Sequence, residues 1–411
     1  MRSSIAFISC ITLFVNLGIV SAEDVLPDRF TPSGNNSSFR YEGLTYENYL
    51  KLVRNMIGEA RTDLSAEKRN AIIDANAPFE LMPSETCGKG AKKPIRRGVL
   101  MVHGLTDSPY FTRALGNFFQ QNCFLVRSIL LPGHGTRPGD LLDVKWEDWL
   151  DAVKFGADSL ASDVDELYLL GFSTGGALSV YQSLSDVRVK GVFLFSPALK
   201  VSPKAMLANW HEIYSWKFPK AKWLDILPDE DPYKYESFPK NAADQIHLLT
   251  KTVQRAIEGR TVDVPVFVAL SEEDTTVVTS ATKEFFTKLA VNPKSRMLLY
   301  AADKTTVSGV NTKTEILSSA FPDKKILSSA HTAIMLPPSD PHYGEQAKYA
   351  NCVHYFGEKL DLYNACKSSS WQYLGELSDA NLKKGVVRRL MYNPRYDEML
   401  VKLKQFIGSL P

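Results

Sequence analysis

Apolar runs of strand length alternate with helical patterns between residues 98 and 300, and this alternation constrains the fold more than any other feature. The apolar runs are Gly98–Val102, Phe124–Leu130, Glu166–Leu170, Val192–Phe195, Val264–Leu270 and Arg296–Tyr300. The helical patterns between them are Phe111–Gln121, Trp146–Leu160, Gly175–Ser185 and Ser280–Leu289. Strands and helices that alternate at these lengths predict an α/β protein, with a mostly parallel sheet covered by helices on both faces.

The alternation stops between Ala198 and Arg260, where the pattern is helical and rich in aromatic residues. These aromatic residues are Trp210, Tyr214, Trp216, Phe218 and Trp223. We interpret residues 198–260 as a helical cap inserted between two parts of the core, 95–197 and 261–411, the second of which carries a C-terminal extension. Residues 23–94 are expected to form an N-terminal arm followed by two helices, near Tyr46–Ala60 and Ser65–Asn76.

Residues 1–22 have the features of a secretory signal peptide. Arg2 precedes an apolar stretch from Ile5 to Val20, and Val20-Ser21-Ala22 offers small residues at a cleavage site. The sequence therefore predicts export to the periplasm or the medium after cleavage near Ala22. An uncleaved N-terminal anchor and a lipoprotein signal that uses Cys10 are the alternatives.

The cysteine content agrees with export. Once Cys10 leaves with the signal, four cysteines remain: Cys87, Cys123, Cys352 and Cys366. An even number in an exported protein predicts two disulfides. Three pairings are open, and loop closure favours Cys352–Cys366, which leaves Cys87–Cys123. No pair has the spacing of metal ligands, so a zinc site is not expected. The serine chemistry inferred below requires no metal or organic cofactor. The formal net charge of +2 gives no reason to expect a nucleic-acid partner.

The pentapeptide Gly171-Phe172-Ser173-Thr174-Gly175 lies between a predicted strand and a predicted helix. A nucleophile elbow requires this context, because the serine must sit on a tight turn with glycines that let neighbouring backbone approach. Ser173 is therefore the candidate nucleophile.

A serine hydroxyl needs a base to remove its proton, and in this fold the chain order is serine, acid, histidine. His331 follows a short apolar run and is the preferred base, with His342 and His354 as alternatives. Asp274 follows the strand Val264–Leu270 and is the preferred acid, with Glu272 and Glu273 as alternatives.

Two backbone N–H groups are needed to stabilise an oxyanion. One is expected from Thr174, at the start of the helix after the nucleophile, and the other from Leu105, in the loop His103-Gly104-Leu105-Thr106-Asp107. His103 is expected to hold that loop rather than to take part in catalysis.

Together the motifs resemble those of the carboxylesterase and monoacylglycerol-lipase group of α/β hydrolases. The motifs are Leu100–Leu105, Leu131-Pro132-Gly133-His134-Gly135, Gly171–Gly175, Glu273-Asp274 and Ala330-His331-Thr332. The resemblance covers residues 95 to 335 and a last helix near Tyr396–Ile407. It implies an α/β-hydrolase fold, a triad of Ser173, Asp274 and His331, an oxyanion hole at Leu105 and Thr174, and a cap over an acyl pocket.

Two regions depart from that family: an insert around Lys304–Asp323 and the segment from Leu336 to Cys366. We expect a serine hydrolase that cleaves small-molecule or lipid carboxylic esters, and such a substrate would fit a transient contact with a lipid surface. Thioester hydrolysis, acyl transfer and peptide-bond cleavage on the same scaffold stay open, as does a catalytically silent binding protein. The sequence does not determine the oligomeric state.

Overall fold

A computed structural model describes residues 26–87, 96–201, 219–357, 359–368 and 370–410. Its strands, in chain order, are β1 (Glu80–Leu81), β2 (Arg97–Val102), β3 (Phe124–Ile129), β4 (Glu166–Phe172), β5 (Val189–Phe195), β6 (Trp223–Asp225), β7 (Phe238–Pro239), β8 (Val266–Ser271), β9 (Arg296–Ala301), β10 (Thr314–Ser318), β11 (Tyr373–Gly375) and β12 (Val387–Arg389). Eight of them form one sheet in the order β1-β3-β2-β4-β5-β8-β9-β10. Only β1 runs antiparallel to its neighbour in that sheet, so it is mostly parallel, as the alternation predicts.

The described helices are α1 (Asn35–Ser38), α2 (Tyr46–Ala60), α3 (Ala66–Asn76), α4 (Tyr110–Gln121), α5 (Trp146–Ala161), α6 (Thr174–Ser183), α7 (Lys240–Ile257), α8 (Thr279–Glu284), α9 (Leu360–Lys367), α10 (Asp379–Leu382) and α11 (Tyr396–Ser409). The helix predicted over Ser280–Leu289 is instead α8 followed by a π-helical turn, Phe285–Leu289.

Helices cover both faces of the sheet because successive strand residues point to opposite sides. In β2, Leu100 and Val102 pack with the helices α2, α5, α6 and α7, whereas Val99 and Met101 pack with α4 and α11. All four of these β2 side chains are fully buried. Continuous apolar strands of this kind are typical of a parallel sheet enclosed on both sides, and they place the core on either side of β2 and β4.

The predicted cap lies only partly within the described residues. Residues 202–218, with Trp210, Tyr214, Trp216 and Phe218, fall outside them. The described remainder is not helical throughout, because Trp223–Asp225 pairs with Phe238–Pro239 as a short antiparallel ribbon before α7 begins. Trp223 packs edge-on against Phe30 of the N-terminal arm, so the arm contacts this region.

The insert around Lys304–Asp323 and the segment after Leu336 each contain strands of their own. The insert contains β10, which pairs in parallel with β9 and forms one edge of the sheet. The C-terminal segment, which we define as residues 337–390, contains the parallel pair β11–β12. It is joined to the loop before His331 by a bridge between Ile326 and Leu374.

The structure pairs Cys87 with Cys123 and Cys352 with Cys366. The second disulfide closes a loop within the C-terminal segment. Two disulfides are typical of a protein that folds in an oxidising compartment. In the described ranges, no helix has both the length and the apolar character that a membrane span requires.

Candidate active site

The site lies at the carboxyl ends of the central strands, where ligands bind in open parallel sheets. Ser173 directly follows β4, Asp274 lies three residues beyond β8, and His331 begins a single 3₁₀ turn, His331–Ala333. The structure brings these three side chains together although they are far apart in the sequence.

Ser173 has a strained backbone, with φ +52° and ψ −113°. A non-glycine residue there costs roughly 1–3 kcal/mol, and such strain persists only where surrounding contacts enforce it. The flanking glycines explain how the turn fits. A Cβ on Gly171 would overlap the carbonyl of Gly175, and a Cβ on Gly175 would overlap the carbonyl of Val102. The turn therefore requires glycine on both sides of the serine.

His331 connects Ser173 to Asp274. Its Nε2 lies 3.0 Å from the Ser173 Oγ, and its Nδ1 lies 2.6 Å from Asp274 Oδ2. In the neutral imidazole, Nδ1–H donates to the carboxylate, which leaves Nε2 free to accept the serine hydroxyl proton. All three residues are at least nine-tenths buried.

Asp274 is itself held in place, because its Oδ1 accepts the N–H groups of Thr276 (2.8 Å) and Val277 (3.0 Å). The alternative acids are engaged elsewhere. Glu272 pairs with Lys283 at 2.7 Å, and Glu273 accepts the N–H of Ala302. Burial raises the pKa of Glu273.

The alternative bases do not contact Ser173. His342 lies 3.4 Å from Asp231 and stacks on Tyr349. His354 donates from Nε2 to the carbonyl of Val387 at 3.1 Å, and burial lowers the pKa of His354 to about 4.

Leu105 and Thr174 line the same cavity as Ser173 and His331. Within the described part of the chain, neither backbone N–H has a hydrogen-bond acceptor. The Thr174 N–H is at the first turn of α6, where backbone N–H groups carry a partial positive charge. Both groups are thus available to stabilise an oxyanion.

Histidine and lysine side chains hold the loop that carries Leu105. His103 accepts the N–H of Leu131 at Nε2 (3.0 Å) and donates from Nδ1 to Gly104 O (2.8 Å), and burial lowers its pKa well below the usual value. On the other side, Lys234 Nζ donates to Asp107 at 2.8 Å and to Thr106 Oγ1 at 3.0 Å. No sequence motif pointed to Lys234, because its partners lie more than 120 residues away.

The cavity over Ser173 has a volume of about 570 Å³. Part of its wall comes from the region after β5, through the apolar side chains of Leu227, Phe238 and Ile246. Another part comes from the C-terminal segment and includes Val353 and Phe356. In the described ranges, no group of three or more His, Cys, Asp or Glu side chains is arranged to hold a metal ion.

Two charged residues that the sequence analysis did not single out reach the site from the C-terminal segment. Glu376 accepts the backbone N–H of His331 at 2.9 Å, and Arg389 lines the cavity. Neither belongs to a motif, and only the extra length after His331 indicated that this segment could shape the site.

Comparison with known proteins shows the family of the chain. Residues 93–302, slightly more than half of the chain, match the family described as serine aminopeptidase, S33. A thermostable monoacylglycerol lipase from Bacillus sp. (strain H-257) is 25% identical over 184 residues, which cover 43% of this chain and 70% of the lipase. A carboxylesterase from Bacillus subtilis (strain 168) is 22% identical over 200 residues, 48% of this chain and 80% of the esterase.

Among solved structures, a chain described with the metagenome-derived lipolytic enzymes LipS and LipT is 22% identical, with a TM-score of 0.46. That match covers 63% of this chain and 90% of the other. The family match ends at residue 302, before His331 and before the whole C-terminal segment.

Proposed function

The chain belongs to the serine aminopeptidase S33 family and has the α/β-hydrolase fold, and on this premise we propose that it hydrolyses carboxylic esters through an acyl-enzyme on Ser173. The observation that carries the proposal is the continuous hydrogen-bonded series from Ser173 Oγ through His331 to Asp274. A serine hydroxyl becomes a useful nucleophile only when such a base is within hydrogen-bonding reach.

In the first half of the reaction, Ser173 Oγ attacks the acyl carbonyl carbon while its proton passes to His331 Nε2. Asp274 keeps the imidazole in the required tautomer and stabilises its protonated form. The N–H groups of Leu105 and Thr174 stabilise the oxyanion of the tetrahedral intermediate. His331 then returns the proton to the leaving alcohol oxygen, and the acyl group stays on Ser173.

In the second half, a water molecule takes the place of the alcohol. His331 removes one of its protons as the oxygen attacks the acyl-enzyme, and the proton returns to Ser173 Oγ when the carboxylic acid leaves. Apart from the ester and water, these steps use only groups of the chain itself.

The substrate proposal is a monoacylglycerol or another medium-chain carboxylic ester. The apolar side chains of the cavity wall support it, because they offer a surface for an acyl chain. The names of the Bacillus relatives, a monoacylglycerol lipase and a carboxylesterase, support it too. In this proposal residues 198–260 act as a cap over the acyl chain.

We also propose that residues 1–22 are a signal peptide removed during export. The two disulfides support this, since structural disulfides persist mainly outside the cytosol.

The test is to treat the mature protein with a fluorophosphonate probe and to map the labelled residue by mass spectrometry. Labelling at Ser173 that is lost in Ser173→Ala and strongly reduced in His331→Ala is the expected result. A folded wild-type protein that is not labelled would contradict the proposal.

A substrate series then separates the chemistries that share this scaffold. p-Nitrophenyl esters of increasing acyl length measure the depth of the pocket, and matched thioesters and amino-acid p-nitroanilides compete with them. We expect the highest kcat/KM for the esters. A preference for p-nitroanilides would show that the peptidase named in the family description is the better assignment.

A further inference from the structure

Two charged side chains of the C-terminal segment contact the separate loops that carry the acid and the base. Glu376 is fully buried, and its Oε2 accepts the His331 N–H at 2.9 Å. Arg389 Nη2 lies 3.2 Å from Glu376 Oε1 and donates to Thr276 Oγ1 at 2.8 Å. We call Glu376 and Arg389 the brace.

The brace closes a ring of contacts around the acid–base pair. From Thr276 the backbone N–H donates to Asp274 Oδ1, and Asp274 Oδ2 accepts His331 Nδ1–H. Glu376 then contacts His331 again through the backbone. The relative position of Asp274 and His331 is therefore fixed twice, once by their own hydrogen bond and once by the brace.

A role in stability alone explains this arrangement poorly. Burying an ion pair costs several kcal/mol of desolvation, and replacing such a pair with well-packed apolar residues is often neutral or stabilising. Apolar residues would hold β11 and β12 together at least as well. They could not, however, bind the His331 N–H and the Thr276 hydroxyl as Glu376 and Arg389 do.

We propose that Glu376 and Arg389 are positioning residues that orient His331 toward Asp274 and balance the charge around the imidazole. This proposal rests on the proposed function of the triad. Neither residue transfers a proton or contacts Ser173. Both lie beyond residue 302, where the family match ends, so this support is supplied by the chain's own C-terminal segment.

The charged and titratable groups near His331 determine how the pH profile of kcat/KM should change when the brace is altered. The carboxylate of Asp274 contacts the ring directly, and the brace contacts the backbone of His331. The other such groups that line the cavity are Asp107, Lys234, Asp225, Tyr235, Glu236 and His354. Lys234 is paired with Asp107, and burial keeps His354 neutral near pH 7 by lowering its pKa to about 4.

The experiment measures kcat, KM and the pH profile of kcat/KM with a p-nitrophenyl ester for Glu376→Gln, Arg389→Met and the control Asp379→Asn. Asp379 is an exposed acid in the same segment, so its variant removes a charge without touching the brace. Thermal melting of each variant reports folding. Thr276→Val removes the hydroxyl that Arg389 contacts but keeps the N–H that binds Asp274, and it tests the ring if a brace variant does not fold.

For Glu376→Gln we expect kcat to fall about 10- to 100-fold with KM within about twofold, because a small displacement of the base affects the transition state far more than substrate binding. Removing the carboxylate leaves Arg389 unbalanced and disfavours the protonated imidazole, so the acidic limb of the profile should move to lower pH by about half a unit. Arg389→Met should move that limb to higher pH, and Thr276→Val should lower kcat a few-fold.

If Glu376→Gln matches Asp379→Asn in kcat and in its acidic limb, or if both brace variants move that limb in the same direction, the inference is wrong. If Ser173→Ala retains full activity, the proposed function itself has failed, and the two failures are thereby distinguished.

Discussion

Ser173 and His331 lie 3.0 Å apart, yet their positions are determined in different ways. Ser173 is placed by its immediate neighbours, because β4 ends at Phe172, α6 begins at Thr174, and glycines permit the tight turn between them. His331 lies on a loop outside regular strands and α-helices. It is placed by Asp274, 57 residues upstream, and by Glu376, 45 residues downstream.

The nucleophile and the base of one active site are therefore positioned by different means. The nucleophile depends on backbone geometry that a short stretch of sequence encodes. The base depends on side-chain contacts between segments that meet only after the chain has folded. A change that disturbs the backbone of the first region should therefore destabilise the whole protein, whereas the loss of a side-chain contact in the second should first affect catalysis.

The largest expected effect comes from removing either member of the contact itself. Ser173→Ala and His331→Ala should each lower kcat by about 10⁴- to 10⁶-fold with little change in melting temperature, and the double variant should be no worse than either single one. Residues that act as a unit are non-additive, and steady-state kinetics on all three variants tests this. His342→Ala, which alters a histidine paired with Asp231 rather than with Ser173, should keep nearly full activity.

Gly175→Ala should disturb the backbone of the turn that carries Ser173. The new Cβ would overlap the carbonyls of Val102 and His103 unless the end of β2 and the start of α6 move apart. We expect the free energy of unfolding to fall by about 4 kcal/mol or more, measured by urea titration. Gly408→Ala is the control, because Gly408 is exposed on α11 with nothing near its added Cβ, and it should stabilise by about 0.5–1 kcal/mol. A Gly175→Ala protein as stable as wild type would show that the turn does not require glycine.

The two disulfides allow the regions to be compared directly. Loop-closure entropy predicts that Cys87→Ser/Cys123→Ser, with a separation of 36 residues, loses about 4 kcal/mol of stability, and Cys352→Ser/Cys366→Ser, with 14, about 3 kcal/mol. Only the second variant should lower kcat/KM under conditions where both stay folded, because Val353 and His354 beside Cys352 line the cavity. Equal losses of activity in the two variants would contradict this distinction.

The smallest effect is a pH dependence of stability. Burial lowers the pKa of His134 to about 4. In the unfolded chain His134 takes up a proton as the pH falls below about 6.5, whereas in the folded protein it stays neutral until about 4, so stability is lost across this window as the pH falls. The loss should approach about 3 kcal/mol, since one pKa unit corresponds to about 1.4 kcal/mol.

Urea titrations at pH 7, 6 and 5 measure that slope. His134→Gln should make the free energy of unfolding less dependent on pH, because the buried histidine is removed. His354→Gln should have the same effect, because burial lowers the pKa of His354 in the C-terminal segment as well. A slope unchanged in both variants would mean that other groups control the pH dependence.

The sequence predicts most of the fold because the central strands are long, apolar and separated by clear helical patterns. Helix α2 begins and ends where its pattern predicts, and β2, β3, β4 and β8 differ only by one or two residues at their ends. Two sheet strands were missed for physical reasons. β1 has only two residues, and β10, in the insert, has the sequence Thr-Glu-Ile-Leu-Ser, which contains no long apolar run, and only its Leu317 is buried.

For the site, the chain order of Ser173, Asp274 and His331 made the three residues findable, and their roles stay a prediction until the variants are measured. Glu376 and Arg389 could not be found in this way. Their role depends on contacts between the loops that carry Asp274 and His331 and the C-terminal segment. No local periodicity or spacing in the sequence predicts which carboxylate will accept a given backbone N–H.

The contact between Glu376 and the His331 N–H also has a consequence for the order in which the enzyme becomes competent during synthesis. Domains begin to fold while the chain is still emerging from the ribosome, N-terminal parts first. A nascent chain that ends near residue 302 already carries the nucleophile and the acid but no base. Hydrolytic capacity should therefore arrive late, when the C-terminal segment has folded against the sheet, because until then Ser173 has no base to remove its proton.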